Sequence, residues 1–306
     1  MAHTLYSPQQ AARSTLAAIR YLTVLPRTVR QDFSQEFVAG RGRTVDIPLP
    51  VSVGAARTYT AANRTARDAI VFDEAEQDTK PVRMGDQVYK ALRLPDDFAT
   101  FDLRSFEQQL AVPMAESVVD GITAPLVSVM GATPVAAAGE SVPTLDPDGS
   151  NALQVLIALR RVLNTRTVFG GRHIPQTDRF VALGANAEAA VLAVPQLQKV
   201  NESGDGGDLL RRAIIRDLFG FTIFSDPALD ADDVIAYHRD AFVHVTRPSK
   251  SPDGAAWSQT VAQDGFALRM IKHYNPLQLE DQVVVDAFVG ADDLITEYAV
   301  RTTVTA

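Results

Sequence analysis

The segment from residue 44 to residue 95 limits the fold most strongly. It opens with "TVDIPLPVSV" (44–53), in which apolar residues alternate strictly with others, so that a strand here would have one apolar face. Pro48 and Pro50 lack the backbone donor that a central strand needs, which indicates an edge strand or an extended arm. The chain stays polar through residues 54–87 and then returns as "QVYKALRLP", a strand that we expect to pair with the outgoing one. Because a lone two-stranded ribbon is only marginally stable in water, this hairpin is predicted to rest on another surface.

The polar part of this hairpin carries its charges in two blocks. A basic block is followed by an acidic block: Arg57, Arg64 and Arg67, then Asp73, Glu74, Glu76 and Asp78. A long polar excursion inside a folded domain is usually either functional or disordered. The two blocks can pair with each other or with a neighbouring molecule, and charges arranged in this way set register more than affinity.

The composition excludes several classes of protein. The chain has no cysteine, which excludes disulfides, thiolate metal sites and a cysteine nucleophile. No apolar run approaches the ~20 residues that a membrane-spanning helix needs. The net charge is −8, so the surface as a whole repels polyanions, and contact with DNA is expected to be weak and non-specific.

Positive charge is concentrated at the start of the sequence. Residues 1–31 contain no acidic residue and four basic ones: Arg13, Arg20, Arg27 and Arg30. They carry +4, which leaves −12 for the remainder because the total is −8. Ser7-Pro8 is typical of a helix start, and apolar residues follow at helical spacing at Ala12, Leu16 and Ile19. The pattern fits a mitochondrial transit peptide or an arm that lies on an acidic neighbour.

The rest of the chain predicts an α+β protein. A long helix is expected from Asp102, with a kink at Pro113 and these apolar residues on one face: Leu103, Phe106, Leu110, Met114, Val118 and Ile122. Residues 123–149 suggest short strands and loops. A helix follows from about residue 150, then the buried strand "RFVALG" and the small helix "ANAEAAVLAV".

In the remaining stretch, the spacing of apolar residues changes at one glycine. After the flexible loop "NESGDGGD" (201–208), the run "RRAIIRDLFGFTIFSDPAL" (211–229) has helical spacing up to Leu218 and strand spacing from Phe221. Gly220 lies between the two and is expected to allow a bend. Strands complete the chain after residue 230.

No set of residues defines a catalytic site. His238-Arg239-Asp240 matches the start of a kinase catalytic loop, but Val245 stands where that motif has asparagine, which favours a polar bend between strands. "SGDGGD" lacks the third glycine of a dinucleotide fingerprint, because Leu209 occupies that position. His238 and His244 would lie too far apart along one strand to share a metal ion. We therefore predict no cofactor and no metal, while a site built from paired carboxylates at distant positions stays open.

Three stretches together resemble the major capsid (coat) protein of tailed double-stranded DNA bacteriophages, the Caudoviricetes. The first is the start of the chain through "RTVDIPLP", in which the shared positions are Phe37, Gly42, Thr44, Val45, Ile47 and Pro50. The second is "FDLRSFEQQLAVPMAESVVDGI", which is similar to the family's spine helix. The third is "RFVALGANAEAAVL" followed by "DLFGFTIFSDPAL". The order of these stretches spans nearly the whole chain.

The resemblance implies the Hong Kong 97-like phage capsid fold and a division of the chain. Its parts would be an N-terminal arm (1–43), an extended β-hairpin loop (44–95), a peripheral domain with the spine helix (96–149), an axial domain (150–230) and returning peripheral strands (231–306). The family's extended loop lies on a neighbouring subunit, so the seven charged residues at 57–78 become candidate inter-subunit contacts.

The resemblance also implies partners and a location. The chain would assemble with many copies of itself, as pentamers and hexamers, into an icosahedral shell around the phage genome. A portal protein, a separate scaffolding protein and a decoration protein are the further partners, with no membrane. The shell would form in the host bacterial cytoplasm and become the virion capsid. Two alternatives remain: an encapsulin-type bacterial compartment shell, and a two-domain α/β enzyme with a dispersed site.

Overall fold

The computed structural model describes most of the chain: residues 24–35, 42–51, 53, 55–75, 77–97, 110, 112–136, 139–168, 171–194, 217–254, 257–263 and 266–305. Several predictions fall outside these residues. They concern the N-terminal helix, Phe37, Glu76, the start of the helix expected from Asp102, and the loop 201–208.

The described elements mix helices and strands, as expected. The strands are β1 (Thr44–Pro48), β2 (Thr79–Arg83), β3 (Asp86–Pro95), β4 (Thr167–Val168), β5 (Arg172–His173), β6 (Arg179–Leu183), β7 (Asp217–Leu218), β8 (Phe221–Ser225), β9 (Asp233–His238), β10 (Phe242–Arg247), β11 (Trp257–Gln263), β12 (Phe266–Asn275), β13 (Glu280–Asp293) and β14 (Ala299–Thr303). The helices are α1 (Ala61–Ala66), α2 (Val112–Gly131), α3 (Ala152–Thr165) and α4 (Ala185–Leu192). Short 3-10 turns occur at Leu25–Thr28, Asp32–Gln35, Arg239–Ala241 and Thr296–Tyr298. No described helix has both the length and the apolar character needed to cross a lipid bilayer.

A five-stranded antiparallel sheet is built around the long strand β13. This strand pairs with β3, β12 and β10, and β11 extends the sheet from β12. Helix α2 packs against it through Met114, Val118 and Ile122, which recur every four residues and so form one buried stripe. This small core holds helix α2 on the sheet.

A second five-stranded sheet has the order β14-β9-β6-β8-β7. Strands β6 and β8 run parallel and the other neighbours antiparallel. The predicted strand at 179–184 and the predicted helices from about 150 and 185 are confirmed as β6, α3 and α4. Because β9 and β14 lie after residue 230 in sequence, the expected domain boundary at 230 does not separate the two sheets.

Part of the expected N-terminal arm is integral to the main core. Leu25, Val29 and Phe33 are buried in the same cluster as the second sheet. Arg30 forms backbone hydrogen bonds with β10, donating to Phe242 O and accepting from His244 N. Buried side chains and backbone hydrogen bonds therefore hold residues 24–35 to the folded subunit.

Helix α2 extends further than predicted. The expectation of strands and loops from residue 123 is wrong, because the helix continues to Gly131. Leu126 and Met130 prolong the buried stripe beyond Ile122, so core packing maintains the helix. The β-branched residues and Pro125 in this stretch suggested a break, yet tertiary contacts override those local preferences.

Gly121→Ala is expected to destabilise the subunit, although glycine to alanine in a helix normally gains about 1 kcal/mol. An added Cβ would lie 2.3 Å from Val88 Cγ1 on β3, and overpacking of this kind costs roughly 1–3 kcal/mol. Urea unfolding of unassembled subunits measures the difference. The control is Gly131→Ala in the same helix, where an added Cβ meets nothing within 4 Å. Equal stabilisation at both positions would contradict the packing explanation.

The returning strand of the predicted hairpin has a different partner from the one expected. We predicted that residues 87–95 pair with the outgoing strand, but β1 pairs with β2, from Thr44↔Arg83 to Pro48↔Thr79. Strand β3 instead forms a ten-residue antiparallel register with β13. Pro48 and Pro50 keep the outgoing strand short, whereas β13 offers β3 a full-length partner.

The junction at Gly220 is a tight hairpin between two strands. Asp217–Leu218 form β7, so the run with helical spacing is already a strand at its end, the alternative that the family resemblance left open. Phe219 and Gly220 both have positive φ, 51° and 74°, as a two-residue turn of type I′ requires. Arg160 of α3 donates to Phe219 O at 2.6 Å and fixes the turn. The bend predicted at Gly220 is confirmed.

Candidate assembly surface

A long segment leaves the subunit between β1 and β2 and returns without entering the core. At its base, Leu49 N donates to Asp78 O at 2.8 Å, and Gln77 Nε2 donates to Leu49 O at 3.0 Å. Ile47 and Val82, just below this base, are completely buried. Between residues 50 and 79, none of the side chains that the structure describes is buried. We call this stretch, residues 50–78, the extended segment.

Local hydrogen bonds give the extended segment its own shape. Thr60 caps α1: its side chain accepts from Asn63 N, while Asn63 Oδ1 accepts from Thr60 N at 3.0 Å. Arg67 ends the helix in the left-handed conformation. Tyr59 Oη donates to Asp68 O at 2.8 Å and closes the loop around the helix. The predicted polar excursion is thus a folded loop without a core.

The structure brings together one pair of the predicted charged residues. Arg57 and Asp73 form an ion pair at 2.5 Å. Both side chains are largely exposed, so the pair contributes at most about 1 kcal/mol. Arg64, Arg67, Glu74 and Asp78 are exposed, and none forms an ion pair with another described residue. Their role as contacts with a neighbour remains a prediction.

An apolar triplet on the extended segment was missed from the sequence. Ile70, Val71 and Phe72 are 68%, 60% and 90% exposed. Exposed apolar side chains in a contiguous group are typical of an interaction site. The signal was present, because three consecutive apolar residues interrupt an otherwise polar stretch.

A partly buried ion pair ties the return of the extended segment to the first sheet. Lys80 Nζ of β2 lies 2.6 Å from Asp293 Oδ1 and 3.9 Å from Asp292 Oδ1, both at the end of β13. Burial by itself would raise the pKa of Asp293, but hydrogen bonds from Lys80 and Thr296 hold it below its ordinary value. Burial raises the pKa of the adjacent Asp292. This contact orients the segment relative to the sheet.

A second apolar group lies at the turn between β12 and β13. Leu277 and Leu279 are 92% and 62% exposed. Tyr274 Oη donates to Asp96 Oδ2 at 2.9 Å and links the base of this turn to the end of β3. The turn projects at one end of the first sheet and is a further candidate contact with a neighbour.

The candidate catalytic triplet is a structural bend. His238-Arg239-Asp240 lies where β9 ends and a 3-10 turn leads into β10, and His238 Nδ1 accepts from Asp240 N at 3.2 Å. Burial lowers the pKa of His238, with Asp240 and Asp178 acting in the opposite direction. The interpretation as a polar bend between strands is confirmed. Within the described ranges, no group of three His, Asp or Glu residues could hold a metal ion.

His244 on β10 lies completely buried beneath helix α2. Its Nε2 is 3.1 Å from Ile122 O. Burial, opposed by that hydrogen bond, lowers the pKa of His244 from 6.5 to about 4. The imidazole is therefore neutral in the folded subunit at neutral pH, and β10 and α2 are joined through it.

Acidification is expected to destabilise the subunit through His244. Above about pH 6.5 the imidazole is neutral in both the folded and the unfolded chain, so the subunit has its full stability. As the pH falls from 6.5 towards 4, the unfolded chain takes up a proton that the folded subunit does not bind, and the free energy of unfolding decreases. The complete loss should be about 3 kcal/mol, of which roughly 2 kcal/mol should appear between pH 7 and pH 4.5. The measurement compares free energies of unfolding at pH 7 and pH 4.5 for the wild type and for His244→Gln. The variant should show a weaker pH dependence, whereas the exposed control His273→Gln should behave like the wild type. An unchanged dependence in His244→Gln would contradict this origin.

The fold is shared with subunits of virus particles and similar shells. A chain from Mycobacterium phage Che8 is 16% identical with a TM-score of 0.64, covering 92% of this chain and 90% of that chain. A chain of the mature capsid of bacteriophage PhiM1 is 10% identical with a TM-score of 0.57, covering 87% and 83%. The virus-like particle from Pyrococcus furiosus is 11% identical with a TM-score of 0.50, covering 96% and 98%. No protein-family model and no curated protein matches the sequence. At these identities the likeness establishes the fold.

Proposed function

We propose that the chain is the major capsid protein of a tailed double-stranded DNA bacteriophage. Many copies would assemble into the icosahedral shell of the virion and enclose the genome. The observation that carries this proposal is the fold likeness to phage subunits over 92% of the chain. The extended segment supports it, because a loop with an exposed apolar triplet and no core of its own is suited to packing on another copy. The chain would act structurally and not as an enzyme.

Within this proposal the subunit has the Hong Kong 97-like organisation. Helix α2 serves as the spine helix of the peripheral domain, and the first sheet completes that domain. The second sheet with α3 and α4 corresponds to the axial domain, which would gather around the centre of each pentamer or hexamer. Residues 1–43 form the arm, and the extended loop spans roughly residues 44–95.

The extended segment would lie on a neighbouring subunit. Ile70, Val71 and Phe72 would supply the apolar area, and burial gains roughly 25 cal/mol per Å². The charged residues at 57–78 would set the register of the contact, because exposed pairs add specificity more than affinity. Icosahedral symmetry would repeat this contact many times and multiply a small individual gain.

The further partners follow from the same proposal. A separate scaffolding protein, a portal protein and a decoration protein would be these partners, and the shell would assemble in the host cytoplasm. The net charge of −8 favours a wall to which packaged DNA adheres only weakly.

A bacterial compartment shell of the encapsulin type is the second candidate. It is supported by the likeness to the virus-like particle from Pyrococcus furiosus, which covers 96% of this chain and 98% of that one. Both functions predict shells, so the cargo distinguishes them. Double-stranded DNA inside particles from infected cells supports the phage capsid. Particles that contain only enzymes favour the compartment.

The first test is the assembly state of the purified chain. Size-exclusion chromatography and negative-stain microscopy should show capsomers or closed shells. A two-domain enzyme would instead behave as a small, discrete species with no larger assemblies.

A further inference from the structure

The most exposed apolar side chains of the subunit are concentrated in two places. Among the large apolar side chains that the structure describes, six are at least 60% exposed. Three of them form the apolar triplet of the extended segment, and two are Leu277 and Leu279. These leucines lie in the turn at residues 276–279, which we call the β12–β13 turn. Neither group is covered within its own subunit, so each is a candidate for contact with another molecule.

The two groups belong to opposite ends of strand β13. Lys80 holds the base of the extended segment to Asp293, at the end of the strand, whereas the β12–β13 turn directly precedes Glu280, at its start. The strand between these ends is about 45 Å long. The chain from Phe72 to Lys80 spans at most about 29 Å when fully extended. The triplet therefore falls short of the turn of its own chain, and only the turn of another copy can receive it.

Charges beside the two groups are complementary. Glu74 follows the triplet by two residues, is exposed and forms no ion pair with another described residue. The end of β3 lies beside the β12–β13 turn, because Asp96 N donates to Leu279 O at 3.1 Å. Arg93, on this end of β3, is 72% exposed and lies 3.8 Å from Glu280 Oε1, at the limit of an ion pair. Its guanidinium is thus accessible to a second carboxylate.

We propose that the apolar triplet of one copy packs on the β12–β13 turn of a neighbouring copy, with Glu74 facing Arg93 across the contact. Each copy gives its triplet to one neighbour and receives the triplet of another, a head-to-tail arrangement that can close into rings. The inference rests on the proposed function, since it names the surface that receives the extended segment. A stable pair of proteins buries about 20 to 30 residues on each side. This contact is much smaller, so it forms in assembled particles, where symmetry repeats it, and not between free subunits.

Disulfide trapping in assembled particles tests this proposal. The chain has no cysteine, so Val71→Cys/Leu277→Cys places one cysteine on each side of the contact. Oxidised particles should give a ladder of linked chains beyond dimers on a denaturing gel, because each chain is joined to two neighbours. Val71→Cys/Ile157→Cys, with the second cysteine exposed on α3, is the control and should stay mostly monomeric. Either cysteine of the test pair alone, and unassembled subunits of the double variant, should also give no ladder.

The results of this experiment separate the contact from the proposed function. Particles that give no ladder, a ladder no faster than the control, or dimers alone would overturn the contact and leave the capsid function standing. A chain that forms no particles under all assembly conditions would contradict both.

Charge reversal tests the contact without cysteines. Glu74→Arg and Arg93→Glu should each lower the particle yield several-fold, because like charges then meet at every copy of the contact. The combined variant restores the attraction and should recover most of the yield. Glu74→Arg/Arg161→Glu, in which the second reversal lies on α3, is the matched control and should show no recovery. Urea unfolding of the unassembled variants verifies that each subunit folds. Equal yields in all variants, or no recovery in the combined one, would overturn the pairing of Glu74 with Arg93.

Discussion

Deletion of residues 55–75, with a short Gly-Ser linker in their place, is expected to leave a folded subunit that forms no stable shells. None of the described side chains in this range is buried, so the free energy of unfolding should change by less than about 1 kcal/mol. The base of the extended segment is retained, including the hydrogen bond from Leu49 N to Asp78 O. A longer deletion that reached β2 would remove Val82 and Met84 from the core and confuse folding with assembly.

Particle yield by sedimentation and microscopy, combined with urea unfolding, measures both effects of the deletion. A narrower variant, Ile70→Ser/Val71→Ser/Phe72→Ser, should also reduce assembly strongly, because it removes the exposed apolar triplet. Arg57→Ala/Asp73→Ala is the comparison within the same segment and should have a smaller effect, since that pair is exposed. Normal particle yield from the deletion would refute the role given to the extended segment.

Asp286→Ala is expected to cause the largest loss of subunit stability, about 3–5 kcal/mol. Asp286 on β13 is completely buried and accepts two hydrogen bonds from Arg269 of β12, at 2.8 and 3.0 Å. Gln87 of β3 donates to it at 2.7 Å, and Ser249 donates to the same oxygen. Removing the carboxylate leaves a largely buried guanidinium without its counter-charge, which costs much more than losing a surface pair.

Asp281→Ala on the same strand is the matched control. Asp281 also forms an ion pair, with Lys272 Nζ at 2.7 Å, but its side chain is 25% exposed and that of Lys272 is 45% exposed, whereas Asp286 is completely buried. Its replacement should cost less than about 1 kcal/mol. Urea unfolding of the two variants separates the cases. Equal destabilisation by the two substitutions would show that burial of the Asp286 hydrogen-bond network does not account for the loss of stability in Asp286→Ala.

Much of the fold could be predicted from local sequence patterns. The helical period of apolar residues identified α3, and a short apolar run indicated β6 as a buried strand, which the structure buries on both faces. The pairing of β3 could not be predicted, since strand partners are chosen by the length and faces of distant strands such as β13. The full length of α2 was missed because its C-terminal turns depend on packing by Leu126 and Met130, which composition does not reveal.

The candidate surface was only partly predictable. The prolines of β1 and the polar stretch after it indicated an excursion that needs a partner. Attention to charge, however, selected residues of which the described ones form no ion pair within the subunit, apart from Arg57 with Asp73. Exposure of Phe72 and its neighbours becomes evident only when the subunit is folded, because an apolar triplet in sequence is more often part of a core.

Cryo-electron microscopy of the purified chain under assembly conditions tests the central claim most directly. We predict closed icosahedral particles in which residues 50–78 of each subunit contact an adjacent subunit, with Ile70, Val71 and Phe72 buried at that contact. A chain that remains a monomer or dimer under all assembly conditions, or shells in which this segment touches no neighbour, would contradict the account.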